Sequence, residues 1–258
     1  MRRPPWWVVA FAGLCFLLLH LPVLVLVAFS FNRSRFSMEW SGFTLDWYAR
    51  LLERGDILGA LQASLVVALA STAIATVLGT LIALALARHA FPGRRLYQGF
   101  LYLPIVTPEI VVGISLLVLF ATAGIQLGLG TITIAHVAFN ISFVAVVVLA
   151  RLHGMGGDLE EAAMDLGADE LTTFFRVTLP QILPGVIAGA LLAFTMSFDD
   201  FVITFFVAGV GSTTLPLLVY SMVRRGVEPT INAISTIILL VTTVAILVAY
   251  RLRGEEGS

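Results

Sequence analysis

The chain has 258 residues, of which 59% are hydrophobic and 12% are charged, and its net charge is -1. A water-soluble core of this length does not bury so much apolar surface, so the composition predicts a membrane protein. The near-neutral balance, with an isoelectric point near 6.4, excludes the basic footprint of a nucleic-acid-binding protein.

All 15 basic residues are arginines, because the sequence contains no lysine. A phosphate-binding loop of the G-x-x-x-x-G-K-[ST] type and a lysine Schiff base are therefore both excluded. Any nucleotide energy must come from another polypeptide, so we expect this chain to hold no cofactor and to catalyse no reaction. The single Cys15 excludes an intrachain disulfide.

Six apolar stretches are long enough to cross a hydrocarbon core of about 30 Å, which takes about 20 helical residues. They predict an all-α polytopic protein with one membrane domain over residues 1–258. The first stretch exceeds the roughly 7 to 15 apolar residues of a secretory signal, so we expect a retained helix. The predicted spans are residues 6–31, 60–87, 100–123, 131–150, 182–208 and 231–250.

The arginines predict the orientation of these spans. Cytoplasmic loops carry an excess of arginine and lysine, and nine of the fifteen arginines fall on one side of a six-span chain. This places both termini and the loop of residues 151–181 in the cytoplasm. The nine are Arg2, Arg3, Arg88, Arg94, Arg95, Arg151, Arg176, Arg251 and Arg253.

An outer segment, residues 32–58, follows the first span. Its Trp40, Trp47 and Tyr48 are typical of a segment that lies along the lipid headgroups. We interpret the segment as structural, with contact to an external partner as the alternative.

Three carboxylates fall within the apolar spans, where an ionisable group is costly unless it faces a partner or a wet cavity. Glu109 follows Pro108 in the third span, and it either lines a pathway or pairs with a structural partner. Asp199 and Asp200 come late in the fifth span among phenylalanines, a combination that holds amine cations by ion pairing and cation-π attraction. Adjacent helical residues point in different directions, so we expect one aspartate to contact cargo while the other caps the outer loop.

The most polar part of the chain is the loop of residues 151–181. Asp158 and Glu161 have the spacing of an N-terminal capping pair for a short helix over residues 159–166. Gly167 is placed to end that helix in left-handed geometry.

A second short helix, residues 170–177, is expected to begin at an Asp169 cap and to stop at Leu179-Pro180. On the first helix, Ala162 and Ala163 leave a flat face among acidic side chains. Two short helices joined by a glycine elbow, with one flat face, favour docking of another protein surface.

The spacing within this loop resembles the "EAA" signature of ABC-importer permeases, E-A-A-x3-G-x9-I-x-L-P, with Val177 in place of the usual isoleucine. A narrower resemblance, to the permeases of polyamine (spermidine/putrescine) importers, covers essentially the whole chain and includes residues 160–168, 192–203, 214–216 and 220–224. The matched signature positions are Glu161, Ala162, Ala163, Gly167, Leu179 and Pro180.

The resemblance implies a permease of the type I ABC-importer fold in the bacterial inner membrane, with the loop docked on an ATP-binding subunit present in two copies. It also implies a second homologous permease and an extracytoplasmic solute-binding protein as partners, with lipid around the spans. Glu109, Asp199 and Asp200 are then the candidate residues of the substrate pathway.

Three alternatives remain open at this stage. A permease of the same family for iron, thiosulfate, phosphate or another solute would keep the loop and change the cargo. A proton-coupled carrier would explain buried acids but needs no docking loop. An intramembrane enzyme lacks a nucleophile motif, and His20, His89, His136 and His153 show no metal-ligand spacing, so they are given no role.

Overall fold

The computed structural model describes residues 5–34, 39–226 and 229–255, and helices form its regular structure. Arg2 and Arg3, which support the predicted orientation, lie outside the described residues, as do the side chains of Arg251 and Arg253. The helices are α1 (Trp6–Phe29), α2 (Asp46–Glu53), α3 (Gly55–Arg88), α4 (Arg94–Val106), α5 (Glu109–Thr122), α6 (Leu129–His153), α7 (Asp158–Asp165), α8 (Glu170–Thr173), a π-helical segment (Phe174–Thr178), α9 (Leu179–Asp199), α10 (Val202–Val207), α11 (Leu215–Arg225) and α12 (Pro229–Glu255).

Four helices of the described residues are long and apolar enough to cross a membrane, and a fifth span requires counting the bent pair α4 and α5 as one. The four are Trp6–Phe29, Gly55–Arg88, Leu129–His153 and Glu170–Asp199. The apolar part of α12 is a shorter stretch, Pro229–Val244. A polytopic helical protein is therefore confirmed, whereas the count of six spans stays a prediction.

The predicted third span, residues 100–123, is broken, and its two halves meet at an angle of 107°. Thr107 adopts extended backbone angles, φ -80° and ψ 132°, because the following Pro108 disfavours helical geometry in the residue before it. The break leaves Glu109 as the first residue of α5.

The predicted fifth span, residues 182–208, also differs from the structure. The helix begins earlier, at Glu170, and ends at Asp199. Asp200 then takes extended angles, φ -62° and ψ 124°, before the short helix α10.

The second loop helix was expected to stop at Leu179-Pro180, and this is wrong. A π turn precedes Pro180, and Leu179 N-H donates to the carbonyl of Phe174, five residues back, so the helix continues.

The chain divides into two compact units, and the divisions fall within α3 and α11, after Leu58 and Leu218. One unit holds residues 1–58 and 219–258, and the other holds residues 59–218. The prediction of one membrane domain stays a prediction.

In the first unit, α1 and α2 contact α12, and a tight turn follows α1. The side chain of Asn32 is fully buried there, and its amide donates to the carbonyl of Glu39 at 2.7 Å. Trp47 Nε1 donates to the carbonyl of Asn32 at 2.7 Å, and Tyr48 OH lies 2.6 Å from Ser30 Oγ. The predicted outer segment is thus folded onto the end of the first span by its own aromatic residues.

In the second unit, α6 is the central helix and packs along α9 through a stripe of small residues. Gly185, Gly189, Ala193 and Ser197 repeat every four residues on α9 and are all buried. A Cβ added at Gly189 would lie 3.3 Å from Val144 Cγ1 on α6. Small residues let two apolar helices approach closely. In a membrane the hydrophobic effect does not drive helices together, because lipid is as apolar as they are, so helix association depends on such close packing.

Gly79 on α3 allows a similar close contact with α6. An added Cβ would lie 2.8 Å from Val144 Cβ and 3.0 Å from the carbonyl of Ile141, so the two helices would have to separate. We expect Gly79→Ala to lower the stability of the detergent-solubilised protein by about 1 to 3 kcal/mol, measured by thermal unfolding.

Gly99→Ala on α4 is the matched control, because an added Cβ there meets no atom within 4 Å. It should be neutral or slightly stabilising, since alanine is the better helix former. Equal melting temperatures for the two variants would contradict the close packing of α3 on α6.

Candidate functional site

Glu160 fastens the polar loop of residues 151–181 to the end of α3. Its Oε1 accepts from Arg88 Nη2 at 3.0 Å and from Thr178 Oγ1 at 2.7 Å, and the paired Arg88 and Glu160 side chains are 26% and 16% exposed. Because the pair is partly withdrawn from water, its charges are screened less than those of a surface ion pair. Glu160 is therefore an anchor of the loop, and the loop lies on the same side of the molecule as the end of α3.

Gly167 forms the predicted elbow between α7 and α8. Its φ is +91°, which a residue with a side chain rarely adopts. Ala168 N-H donates to the carbonyl of Ala163 at 3.0 Å, and Gly167 N-H donates to that of Met164 at 2.9 Å. These two bonds form a Schellman motif, which satisfies the last carbonyls of α7.

The two predicted helix caps of the loop have different outcomes. Asp169 is confirmed, since its side chain accepts from Thr172 N-H at 2.9 Å, and hydrogen bonding by Thr172 lowers the pKa of this carboxyl. The Asp158–Glu161 capping pair is wrong, because α7 begins one residue earlier than expected, with Gly157 at the cap and no side-chain cap bond. Asp158 instead lies in the first helical turn, where negative charge complements the helix dipole.

The signature residues of the loop are largely at the surface. Glu161, Ala162, Gly167 and Pro180 are exposed, whereas Ala163 and Leu179 are half-buried. Large apolar side chains stand beside them, with Leu166 90% exposed and Leu171 68% exposed. An apolar surface on the most polar segment of the chain is typical of a protein interface.

The side chain of Asp200 stabilises the break between α9 and α10. Its Oδ2 accepts from Thr204 N-H at 2.8 Å and from Thr204 Oγ1 at 2.7 Å, and its Oδ1 accepts from Ile203 N-H at 3.3 Å. The carboxylate thereby satisfies backbone donors at the start of α10, which have no helical partner.

His136 on α6 connects Asp200 to two further helices. Its Nε2 lies 3.2 Å from Asp200 Oδ2 and its Nδ1 lies 2.7 Å from Ser197 Oγ, which in turn is 2.9 Å from Ser71 Oγ on α3. The His136 side chain is 2% exposed and that of Asp200 is 9% exposed. His136 thus links α6 to the break at Asp200 and, through Ser197, to α3.

Glu109 and Asp199 remain at the surface of the second unit. Glu109 is the first residue of α5 and Asp199 the last residue of α9, so each stands at a helix break. Within the described part of the chain neither forms a salt bridge. Gly113, one helical turn after Glu109, lies against Ile203, three residues after Asp200, since an added Cβ at Gly113 would be 3.4 Å from Ile203 Cα. The three carboxylates therefore lie in one region of the second unit.

The structure thus brings Glu109, Asp199 and Asp200 together and keeps them apart from the loop signature.

Sequence reasoning missed His136, together with Ser71, Ser197 and Thr204. A histidine inside an apolar span is costly unless it has polar partners, and that is the signal that would have singled out His136. It belongs to no metal cluster in the described residues, where no group of three or more histidine, cysteine, aspartate or glutamate side chains could hold a metal ion.

Comparison with known proteins identifies the family. The model of the family described as "Binding-protein-dependent transport system inner membrane component" matches residues 75–254. The chain belongs to this family. It is an ABC-importer permease, a membrane transport subunit, as the loop signature predicts.

Its relatives include polyamine permeases. The spermidine/putrescine transport system permease protein PotC of Escherichia coli K12 is 42% identical over 238 residues, which cover 92% of this chain and 90% of the relative. The putrescine transport system permease protein PotI of the same strain is 44% identical over 244 residues, with 92% and 86% covered. The predicted similarity to the polyamine subfamily is confirmed.

Solved structures share the fold of this permease. A chain of a bacterial ABC transporter that imports the acidic polysaccharide alginate matches with a TM-score of 0.71 at 15% identity, covering 97% of this permease and 95% of that chain. A chain of the MetNI methionine ABC transporter matches with a TM-score of 0.60 at 20% identity, covering 81% and 97%. Identities this low show the fold alone, and they confirm the all-α permease architecture.

The His136 contacts lead to a test of the network in this permease. We expect His136→Ala to lower the free energy of unfolding by about 1 to 3 kcal/mol, because the buried carboxylate of Asp200 loses a partner. The measurement is thermal or denaturant unfolding in detergent, with His153→Ala at the exposed end of α6 as the control.

If the two residues act as a pair, combining His136→Ala with Asp200→Asn should cost clearly less than the sum of the single changes. Additive losses would contradict a direct interaction between them.

Proposed function

We propose that this permease imports polyamines, with putrescine and spermidine as its cargo, and that a separate ATP-binding subunit drives it through the loop of residues 151–181. A second homologous permease would complete the membrane pathway. An extracytoplasmic binding protein would deliver the cargo, and both termini would face the cytoplasm.

The observation that carries the cargo assignment is the pair of exposed carboxylates at two helix breaks. Glu109 and Asp199 lie in one region of the second unit, and no described arginine neutralises either of them. A site with two negative charges suits a flexible chain that carries several ammonium groups, since each charged hydrogen bond is about twice as strong as a neutral one. The names of the PotC and PotI relatives agree with this cargo.

The structure supports different roles for the three acids. The carboxylate of Asp200 is already in contact with Thr204, Ile203 and His136. We therefore assign it the structural role of stabilising the break between α9 and α10. Asp199 stands beside it at the end of α9, and its side chain is exposed. Of the two aspartates predicted to share the roles of cargo contact and cap, Asp199 is the proposed cargo contact.

The coupling role of the loop is supported by its surface and by its anchoring. The apolar residues Leu166 and Leu171 next to the elbow are exposed and would be covered by the partner. Glu160 ties α7 to Arg88 and Thr178, so movement imposed on the loop would reach α3 and the start of α9. ATP binding and hydrolysis in the partner would switch the pathway between outward and inward openings.

Neutralising the exposed acids should weaken cargo binding. We expect Glu109→Gln and Asp199→Asn each to raise the KM for putrescine uptake by roughly tenfold, because each removes one charged partner of an ammonium group. The measurement is radiolabelled putrescine and spermidine uptake by the reconstituted complex, with Glu53→Gln on the exposed face of α2 as the control.

Asp200→Asn should instead reduce the yield of folded protein, since that carboxylate holds α10. Unchanged polyamine uptake after both exposed acids are neutralised would contradict their role as cargo contacts, whereas absence of polyamine uptake by the wild type would favour a permease for another solute.

Altering the loop should uncouple the complex. We expect Glu161→Lys and Gly167→Pro to leave membrane insertion intact and to abolish uptake, the first by reversing a surface charge and the second because proline cannot adopt the φ of +91°. Uptake and co-purification of the ATP-binding subunit are the two readouts.

Glu39→Lys makes the same charge change outside the loop and should transport normally. Wild-type uptake by both loop variants would refute the coupling assignment.

A further inference from the structure

The turn between α3 and α4 is basic and has no role in the proposed cargo pathway. Gly93 has a φ of +86°, which reverses the chain and starts α4 at Arg94 and Arg95. Arg94 Nε is buried without a hydrogen-bond partner, and no acidic side chain among the described residues pairs with either arginine. Two neighbouring guanidinium groups without a counter-ion form a site for an anion.

A basic cavity and an apolar cavity adjoin at this turn. The basic one measures about 510 Å³ and is lined by Arg94, Arg95 and Gln98, with Phe91 at its edge. The apolar one measures about 610 Å³, and Phe91 lines it too. Its other lining residues include Ile82, Leu86, Tyr97, Phe100, Pro104 and Ile141.

The apolar cavity extends along the membrane-spanning helices. It is a groove, open at the surface, that runs beside α4 from Tyr97 to Pro104, and residues of α3 and α6 line its other walls. A water-soluble anion would use only the arginine end, whereas a molecule with a charged head and a hydrocarbon chain would fill both cavities.

The turn lies on the side of the coupling loop. Arg88, at the end of α3 and a few residues before the turn, pairs with Glu160 of that loop. In the proposed orientation this is the cytoplasmic side, where anionic lipids give the leaflet a negative surface potential.

From these observations we propose that the turn binds one anionic phospholipid. The phosphodiester lies between Arg94 and Arg95, close to the backbone N-H groups at the start of α4, and an acyl chain occupies the apolar cavity beside Phe100 and Pro104. Arginine matches the geometry of phosphate oxygens, and the start of a helix adds its positive dipole end.

The test is a lipid titration of the full chain. The delipidated protein in mild detergent is titrated with phosphatidylglycerol, and separately with phosphatidylethanolamine, and bound lipid is counted by native mass spectrometry. We expect one phosphatidylglycerol to bind in preference to phosphatidylethanolamine, and R94Q/R95Q to weaken its binding by roughly tenfold or more. Arg176→Gln removes an exposed arginine of the coupling loop and should bind lipid like the wild type.

A second variant tests the acyl-chain half of the site and leaves both arginines in place. Ala138 is exposed in the wall of the apolar cavity, so Ala138→Trp should fill the space and also weaken phosphatidylglycerol binding. Circular dichroism and thermal unfolding establish that each variant is folded.

Three results would overturn the proposal. One is equal phosphatidylglycerol binding by the wild type and R94Q/R95Q. Another is full competition by inorganic phosphate together with no effect of Ala138→Trp, which would indicate a free-anion site. The third is loss of the ATP-binding subunit from R94Q/R95Q with unchanged lipid binding, which would indicate a protein interface.

Discussion

A helix that breaks inside a membrane must find new partners for the backbone groups it releases, since lipid offers none. In this permease the side chain of Asp200 meets that constraint by accepting from the N-H groups of Ile203 and Thr204. His136 and Thr204 stabilise the carboxylate in turn, and Ser197 and Ser71 extend the contacts to α3. The break between α9 and α10, and with it the exposed position of Asp199, depends on this one buried carboxylate.

The same polar contacts require that the helices lie close together. Ser197 ends the small-residue stripe of α9 that begins at Gly185, and the stripe brings α9 against α6 at the level of His136. Gly113 plays a similar part on α5, where an added Cβ would lie 2.7 Å from Phe206 Cδ2 on α10. Small residues therefore set the helix spacing, and the hydroxyl, imidazole and carboxylate groups then fix the register.

Local features of the structure followed from the sequence, and long-range ones did not. The first helix of the loop, the left-handed Gly167 and the Asp169 cap depend on neighbouring residues, so fixed spacing was enough to predict them, whereas the continuation of the second helix past Pro180 was not predicted. The break at Pro108 was also local, but residues 100–123 were predicted as one span, because proline is tolerated in membrane helices when its neighbours satisfy the backbone. No proline or glycine lies next to Asp200, so the local sequence gave no indication of the break between α9 and α10.

The pairings that organise the two candidate sites join residues far apart in the chain. Arg88 and Glu160 are 72 positions apart, and His136 and Asp200 are 64 positions apart. Hydrophobic periodicity shows which residues are apolar but not which polar side chains meet across helices. For that reason the sequence did not predict the contact between Arg88 and Glu160, and His136 was assigned no role.

The helix that emerges from the loop has one further mechanical consequence. It continues from Glu170, beside the elbow, through the π turn of Phe174–Thr178 to Asp199, a run of 30 residues. At 1.5 Å per residue this is a rod of about 45 Å with the elbow at one end and an exposed carboxylate at the other. Inserting a single residue between them would rotate one end against the other by about 100°, so the number of residues in the rod sets the direction in which Asp199 points.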